Sequence, residues 1–476
     1  MPWKDLREYM AAIDNLGELR TVENADWDLE IGTISELNYE RGGPALLFDQ
    51  VKGYPAGYRI LCNAMESHKR TMLALDMPPD FTLDQALEDY ERRVAAYKPV
   101  PPLTVQSGPV MENAFYGNDI DMWKFPTPRW HEGDGNCRYI GTGCVVIQRD
   151  PDTGDINCGT YRVMVHDEHT VGLFVSPSHM GAIIEKKYWE RGQSCPVVVT
   201  FGNEPITFLV GTAYLGVKGN YELEFAGHLR GAPIEVIQEE ITGLPMPATA
   251  EIVIAGEIPP PEVETRDEGP FGEWTGYYAS QTRPEPVIRV SALYHRNDPI
   301  ILGMPPVKHH GPTAHFKFPA ESINYKQKAK RAGVEDVLDV WRAAVPGVLF
   351  IKIRQRYAGH AMKAGLAFAG EFMNRMVVVV DEDVDIRDPL DVLWAIGTRC
   401  DPETSLTVIS NLQSTPLDPR LTPEKRARRE YTRSSVIVNA CKPYSWIKEF
   451  PPTNLASPGL RKQVLDKWTD LFGAKG

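Results

Sequence analysis

No stretch of this 476-residue sequence stays apolar for long. Its longest purely aliphatic run, Met376 through Val377 to Val380, falls far short of the roughly 20 residues a membrane-spanning helix requires. The opening residues Met1 to Arg7 mix charges into the first turn and lack the apolar core of a signal peptide, which predicts a cytoplasmic chain. Positive charge is in short supply, because 51 Lys and Arg face 64 Asp and Glu, for a formal net charge of −13. That balance repels polyphosphate and anionic lipid and argues against a nucleic-acid partner. The seven cysteines are odd in number, scattered and free of any Cys-x-x-Cys pair, which excludes a disulfide framework and a structural zinc site and fits a reducing compartment.

Common catalytic signatures are missing as well. There is no Gly-x-x-x-x-Gly-Lys-Ser/Thr loop, no Gly-x-Gly-x-x-Gly opening a helix, no Gly-x-Ser-x-Gly elbow and no His-Glu-x-x-His. His166 and His169 lie three apart in a β-type region and read as surface histidines, and His309-His310 beside Gly311-Pro312 read as a loop.

What is present is ordinary globular material: 42% hydrophobic and 24% charged residues, with 39 Gly and 39 Pro staying below the disordered range. The length predicts two or three domains. Leu6, Met10, Ile13 and Leu16 recur at helical spacing before Gly17, and Pro44–Phe48 and Tyr58–Cys62 read as short buried strands. The proline-stiffened Lys98–Pro102 marks a boundary, giving an N-terminal α/β region over residues 1–105. Short β runs such as Gly143–Ile147, Pro196–Thr200 and Glu251–Ile254, with one helix over Gly181–Arg191, predict a β-rich barrel or sandwich over residues 106–318. Residues 319–450 alternate helices (near Val334–Ala344, His360–Met373 and Leu390–Arg399) with strands (Val348–Ile353, Met376–Val380), predicting an α/β layer with parallel pairing. The tail, 451–476, carries a capped helix over Ser457–Phe472 whose apolar face (Leu460, Val464, Trp468, Leu471) needs a docking partner. The expected class is a multidomain α+β and α/β chain.

Polar residues concentrate in three segments of the β-type region: Asn157–Arg162, Ser176–Gly181 and Tyr221–Gly227. An amide oxygen (Asn157), an imidazole (His179) and a carboxylate (Glu222) make a mixed donor set suited to Mn²⁺ or Mg²⁺ beside phosphate oxygens. Taken singly, they also read as a turn residue, a helix-start residue and an exposed strand charge. A fourth segment, Asp267–Tyr277, places two glycines and a proline between Glu268 and Glu273, so the carboxylates flank a tight turn. Two carboxylates sharing one Arg are driven to different pKa values, one ionised against the guanidinium and one keeping a proton to donate.

In this order, several segments resemble the UbiD-type decarboxylases that use prenylated FMN. They are Gly42–Phe48, Asn157–Arg162, Glu222 with Phe225-Ala226-Gly227, Leu229–Pro233, Met246–Val253, Glu268–Glu273, Tyr357–Ala361, Val380–Asp385 and Trp394–Arg399. The likeness covers nearly the whole chain. It implies a central split-barrel flavin domain, a C-terminal α/β oligomerisation domain, Mn²⁺ held by Asn157, His179 and Glu222, and a nearby K⁺ on backbone carbonyls. It also implies cofactor contacts from Thr160, Tyr161, Arg162, Ser178, Met180, Gly181 and Arg433. Arg162, Glu268 and Glu273 match the family's Glu-Arg-Glu network, with Glu273 as proton donor. The implied reaction is reversible decarboxylation of an aromatic or heteroaromatic acid to CO₂ through a covalent flavin adduct, with His309 or His310 near the substrate. A flavin prenyltransferase would supply the cofactor to a homodimer or hexamer. The runners-up are the polyprenyl-hydroxybenzoate step of quinone synthesis and a non-catalytic flavin subunit of a carboxylase complex. Removing CO₂ from an sp² carbon independently demands an electron sink that no side chain provides.

Overall fold

The computed structural model describes residues 3–212, 221–279, 281–308, 318–342, 345–371 and 373–472. His309 and His310 lie outside them. Helix α1 (Leu6–Asn15) forms where predicted, burying Leu6, Tyr9 and Ile13, and the Asp5 side chain caps it by accepting the Glu8 N–H. Beside it, β1 (Leu19–Glu23), β2 (Ala45–Asp49) and β3 (Arg59–Cys62) make a sheet completed by Ile300–Gly303 from much later in the chain. A buried ion cluster adds a second tie. Arg7 donates from Nε and Nη2 to the fully buried Glu251 at 2.8 and 2.7 Å, and Arg296 bridges Asp5 at 2.8 Å and Glu251 at 3.3 Å.

Nine antiparallel strands form the central sheet. They are β4 (Asn113–Tyr116), β5 (Tyr139–Gly141), β6 (Cys144–Arg149), β7 (Ile156–Gly159), β8 (Arg162–Val165), β9 (Thr170–Phe174), β10 (Cys195–Phe201), β11 (Ile252–Ile258) and, past a hairpin of β12 (Arg266–Glu268) and β13 (Arg283–Glu285), β14 (Val287–His295). Their order is β5-β8-β9-β14-β11-β10-β6-β7, with β4 also on β14, in a curled half-barrel. The strands read as continuous apolar runs because both faces are covered: Val145, Ile147, Val198, Val253 and Ala255 enter one core, and Val146, Val197, Val199, Ile252 and Ile254 enter the other. The expected helix is α2 (Met180–Trp189). Two more, α3 (Pro205–Thr212) and α4 (Tyr221–Arg230), pack against each other and against β7.

Helix α4 corrects the reading of Glu222 as a strand charge. Tyr221-Glu222-Leu223-Glu224-Phe225 alternates like a strand, but Ala226 and Leu229 continue a buried helical face. The helix expected near Val334–Ala344 is likewise absent among the described residues. There, α5 (Phe318–Arg331) precedes β15 (Val337–Arg342), which pairs antiparallel with β16 (Val348–Ile353). A register shift between Val337 and Asp339 inserts one residue, so Val337 and Val340 share the core at a spacing that imitates a helix. Then follow α6 (His360–Ala369), β17 (Met376–Asp381), α7 (Pro389–Arg399), β18 (Leu406–Gln413) and β19 (Thr432–Asn439), in a sheet ordered β15-β16-β17-β19-β18 with β16-β17-β19 parallel. The tail breaks at Trp468 into α8 (Pro458–Lys467) and α9 (Thr469–Phe472), with Leu460, Val464, Trp468 and Leu471 exposed. Among the described residues no helix is long and apolar enough to cross a membrane, and all seven cysteines are free.

Inside the central fold, α2 turns Glu185 onto the sheet, where it accepts from Gln148 Nε2 at 2.9 Å. Burial pushes its carboxyl up to about 8. The native state therefore holds this proton above the unfolded value of 4.5, and the associated stability is complete below that pH and lost as pH rises through about 8. The thermal midpoint of the cofactor-free chain is expected to fall between these pH values, and Glu185→Gln to flatten that slope in calorimetry.

Candidate active site

Arg162 opens β8 directly across from Phe174 on β9, and that register lays the guanidinium over the Phe174 ring at 4.2 Å. Phe271 covers it at 5.1 Å. Glu268 ends β12 and receives Arg162 bidentately, Nε to Oε1 and Nη2 to Oε2, both at 2.7 Å. Glu273 takes the remaining Nη1 on its Oε1. Glu273 sits in a turn closed by its own N–H to the Tyr277 carbonyl at 3.0 Å and by the Gly276 N–H to its carbonyl at 2.8 Å. Gly276 has φ +78°, a backbone region that favours glycine. The turn thus follows the second acid, at Glu273–Tyr277, rather than lying between the two as expected; irregular backbone over 269–272 brings both carboxylates to one guanidinium, and all three side chains are buried.

Burial raises the Glu273 carboxyl above its usual range, and the Glu268 charge adds to this against the pull of Arg162. Burial opposes the Arg162 charge, but Glu268 and Glu273 more than offset it and its pKa rises. Sequence reasoning missed Tyr139, whose hydroxyl donates to Glu268 Oε1 at 2.9 Å. It opens the three-residue strand β5 between Arg138 and Ile140 and carries no local signal.

The candidate metal ligands surround a neighbouring patch. Strand β7 carries Asn157 and contacts both α2, which His179 precedes as its N-cap residue, and α4, which carries Glu222. The His179 ring lies 5.8 Å from that of Tyr161, and Glu222 bears electrostatically on Cys158 and Tyr161. His179 is solvent-exposed as a residue, yet its ring is partly desolvated and its pKa lowered, so the neutral ring offers a lone pair. Burial pushes the Glu222 carboxyl up to about 7, with the Asp155 charge adding to the rise. Among the described residues, Asn157 Nδ2 and Thr160 Oγ1 are buried without hydrogen-bond partners. Among the described residues no three His, Cys, Asp or Glu side chains form a metal cluster, so an ion here depends on the Asn157 amide. A half-buried carboxylate, a neutral imidazole and amide and hydroxyl groups unpaired among the described residues fit a hard divalent cation and phosphate oxygens. Gly181 fits as well, since a Cβ there would meet Tyr161 and Gln148 at 2.9 Å. Ser178 and Met180 are exposed beside it.

Arg433 does not join this set, and its expected phosphate contact is corrected. It is buried on β19 of the C-terminal sheet, with its guanidinium spent on the backbone carbonyls of Gln413, Asn374, Ala369 and Glu371. His166 is half-buried and His169 exposed.

Family models for the N-terminal, Rift-related and C-terminal domains of 3-octaprenyl-4-hydroxybenzoate carboxy-lyase match residues 10–90, 103–309 and 318–440. The phenolic acid decarboxylase of Bacillus subtilis (strain 168) is 32% identical over 441 residues, covering 89% of this chain and 90% of that protein. The pyrrole-2-carboxylic acid decarboxylase of Pseudomonas aeruginosa is 28% identical and covers 98% of each. Among solved structures, the UbiD-class enzyme HmfF from Pelotomaculum thermopropionicum, in complex with FMN, superposes with a TM-score of 0.82 at 29% identity, over 98% of this chain and 100% of that one. The chain belongs to the UbiD family. It is an enzyme of the carboxy-lyase type.

Removing the guanidinium leaves two buried acids uncompensated. Arg162→Met is expected to destabilise the chain by about 3 kcal/mol in denaturant titration, and Arg162→Met with Glu268→Gln to recover much of that loss.

Proposed function

We propose that this chain catalyses the reversible, non-oxidative decarboxylation of an aromatic or heteroaromatic carboxylic acid, with prenylated FMN as cofactor and Glu273 as proton donor. The observation that carries this reading is the buried Glu268–Arg162–Glu273 network, in which one acid is held bidentately and the other has a raised pKa. Relatives named for phenolic and pyrrole carboxylic acids support the substrate class, and an evolved dimeric form of HmfF in complex with prenylated FMN supports the cofactor.

Asn157, His179 and Glu222 would hold Mn²⁺ against the flavin phosphate, with K⁺ nearby on backbone carbonyls. Thr160, Tyr161, Ser178, Met180 and Gly181 would border the flavin. When bound, the prenylated flavin supplies the electron sink, through a covalent link to the substrate, that the sp² carbon lacks. Arg162 orients the substrate carboxylate, and Phe174 and Phe271 keep water from the guanidinium, which favours release of neutral CO₂. Glu273 delivers its proton to the carbon that carried the carboxylate, and Glu268 holds Arg162 in place. In the carboxylation direction Glu273 takes that proton back. The exposed apolar tail is consistent with a homo-oligomer of two or six chains.

Coexpression with a prenyl-FMN synthase and screening of aromatic acids tests the assignment: CO₂ release supports it, and a loaded protein inert in both directions overturns it. Glu273→Gln is expected to abolish turnover, by at least 100-fold on the usual scale of general acid catalysis, while the flavin spectrum is retained. Glu222→Ala should lose metal and flavin together, as read by elemental analysis and absorption; retention of both would remove it from the ligand set.

A further inference from the structure

We propose that Tyr139 is a positioning residue that strengthens the bias by which Glu273, rather than Glu268, carries the transferable proton, an inference that rests on the decarboxylase reading above. Its hydroxyl donates to Glu268 Oε1, the same oxygen that receives Arg162 Nε. Glu268 therefore collects three hydrogen bonds, whereas among the described residues the Glu273 side chain receives only Arg162 Nη1. Arg162 serves both acids, so the added donor on one side is the tyrosine.

The ring cannot readily swing away. Tyr139 is fully buried on β5, its ring centroid 4.3 Å from that of Phe271. Burial, reinforced by the Glu268 charge, raises the phenol pKa, so the hydroxyl stays a donor and does not compete as an acid. When the pair holds one proton, two arrangements compete. With the proton on Glu273, the Tyr139 hydroxyl meets an ionised carboxylate in a charge-assisted bond. With the proton on Glu268, that bond becomes a neutral one, roughly half as strong. The hydroxyl thus biases the proton toward Glu273 by about tenfold, the ratio set by the difference between charged and neutral hydrogen bonds. Other groups acting on the pair are Arg162 on β8, Arg283 and Glu285 on β13, His166 past the end of β8 and Cys137 ahead of β5. All of them remain in a Tyr139 variant.

Tyr139→Phe keeps the ring and removes the donor. The first measurement needs no cofactor: infrared titration of the unloaded chain, with Glu273→Gln and Glu268→Gln as subtraction standards, reads which carboxyl is protonated. Tyr139→Phe is expected to lower the Glu273-to-Glu268 occupancy ratio about tenfold. In the loaded enzyme, the acidic limb of kcat/KM should move toward neutral pH by about one unit, the equivalent of that tenfold change. A purely structural tyrosine would lower the melting temperature and leave both readouts in place, which would overturn the proposal. Should Tyr139→Phe fail to fold, difluorotyrosine in place of Tyr139, a stronger donor of the same shape, must move both readouts the opposite way, and no movement refutes the role. A chain inert toward every acid but with a shifted infrared ratio refutes the decarboxylase reading alone.

Discussion

A guanidinium buried between two carboxylates is the constraint on which this molecule turns. Arg162, Glu268 and Glu273 come from β8, the end of a hairpin strand and a five-residue turn, and each would be costly to bury alone. Such a group is a weak source of stability, because desolvation cancels most of the attraction. Its value is in setting protonation. Bidentate capture fixes one acid as the charged partner, and the low dielectric around the other favours its neutral form.

The sheet makes that environment possible. Because both faces of the central strands carry packed side chains, an arginine placed on the sheet faces aromatic rings rather than solvent. The β8–β9 register then supplies Phe174 opposite Arg162. At β7 the same sheet meets α2 and α4, and the polar patch of Asn157, His179 and Glu222 gathers there. One architecture thus provides an apolar place for a buried charge network and, beside α2 and α4, a polar place lined by amide, imidazole and carboxylate groups.

Much of this was legible in the sequence, and for physical reasons. Glycine and proline between Glu268 and Glu273 excluded a helix there, and both acids do meet one guanidinium, although the turn itself falls after Glu273. The α/β alternation after residue 319 carried over into a sheet whose three central strands run parallel, with an antiparallel strand at each edge. The misreadings share a cause, namely local periodicity overridden by context. A bulge gave β15 a helix-like spacing, and the alternating Tyr221–Phe225 concealed a helix packed on α3. Arg433 looked available because a sequence shows a charge but not the four carbonyls that absorb it. Tyr139 was invisible because its partner lies 129 residues away.

The latch between the first helix and the central sheet has a practical corollary. Glu251 directly precedes β11, and its charge is compensated by Arg7 and Arg296, the latter also engaged by Asp5. Trimming even the first eight residues would therefore remove Arg7 together with Asp5, leaving Glu251 with its 3.3 Å contact to Arg296 but without the two hydrogen bonds from Arg7 that tie the first helix to the central sheet. Shortened expression variants would carry that loss of two hydrogen bonds into the central sheet.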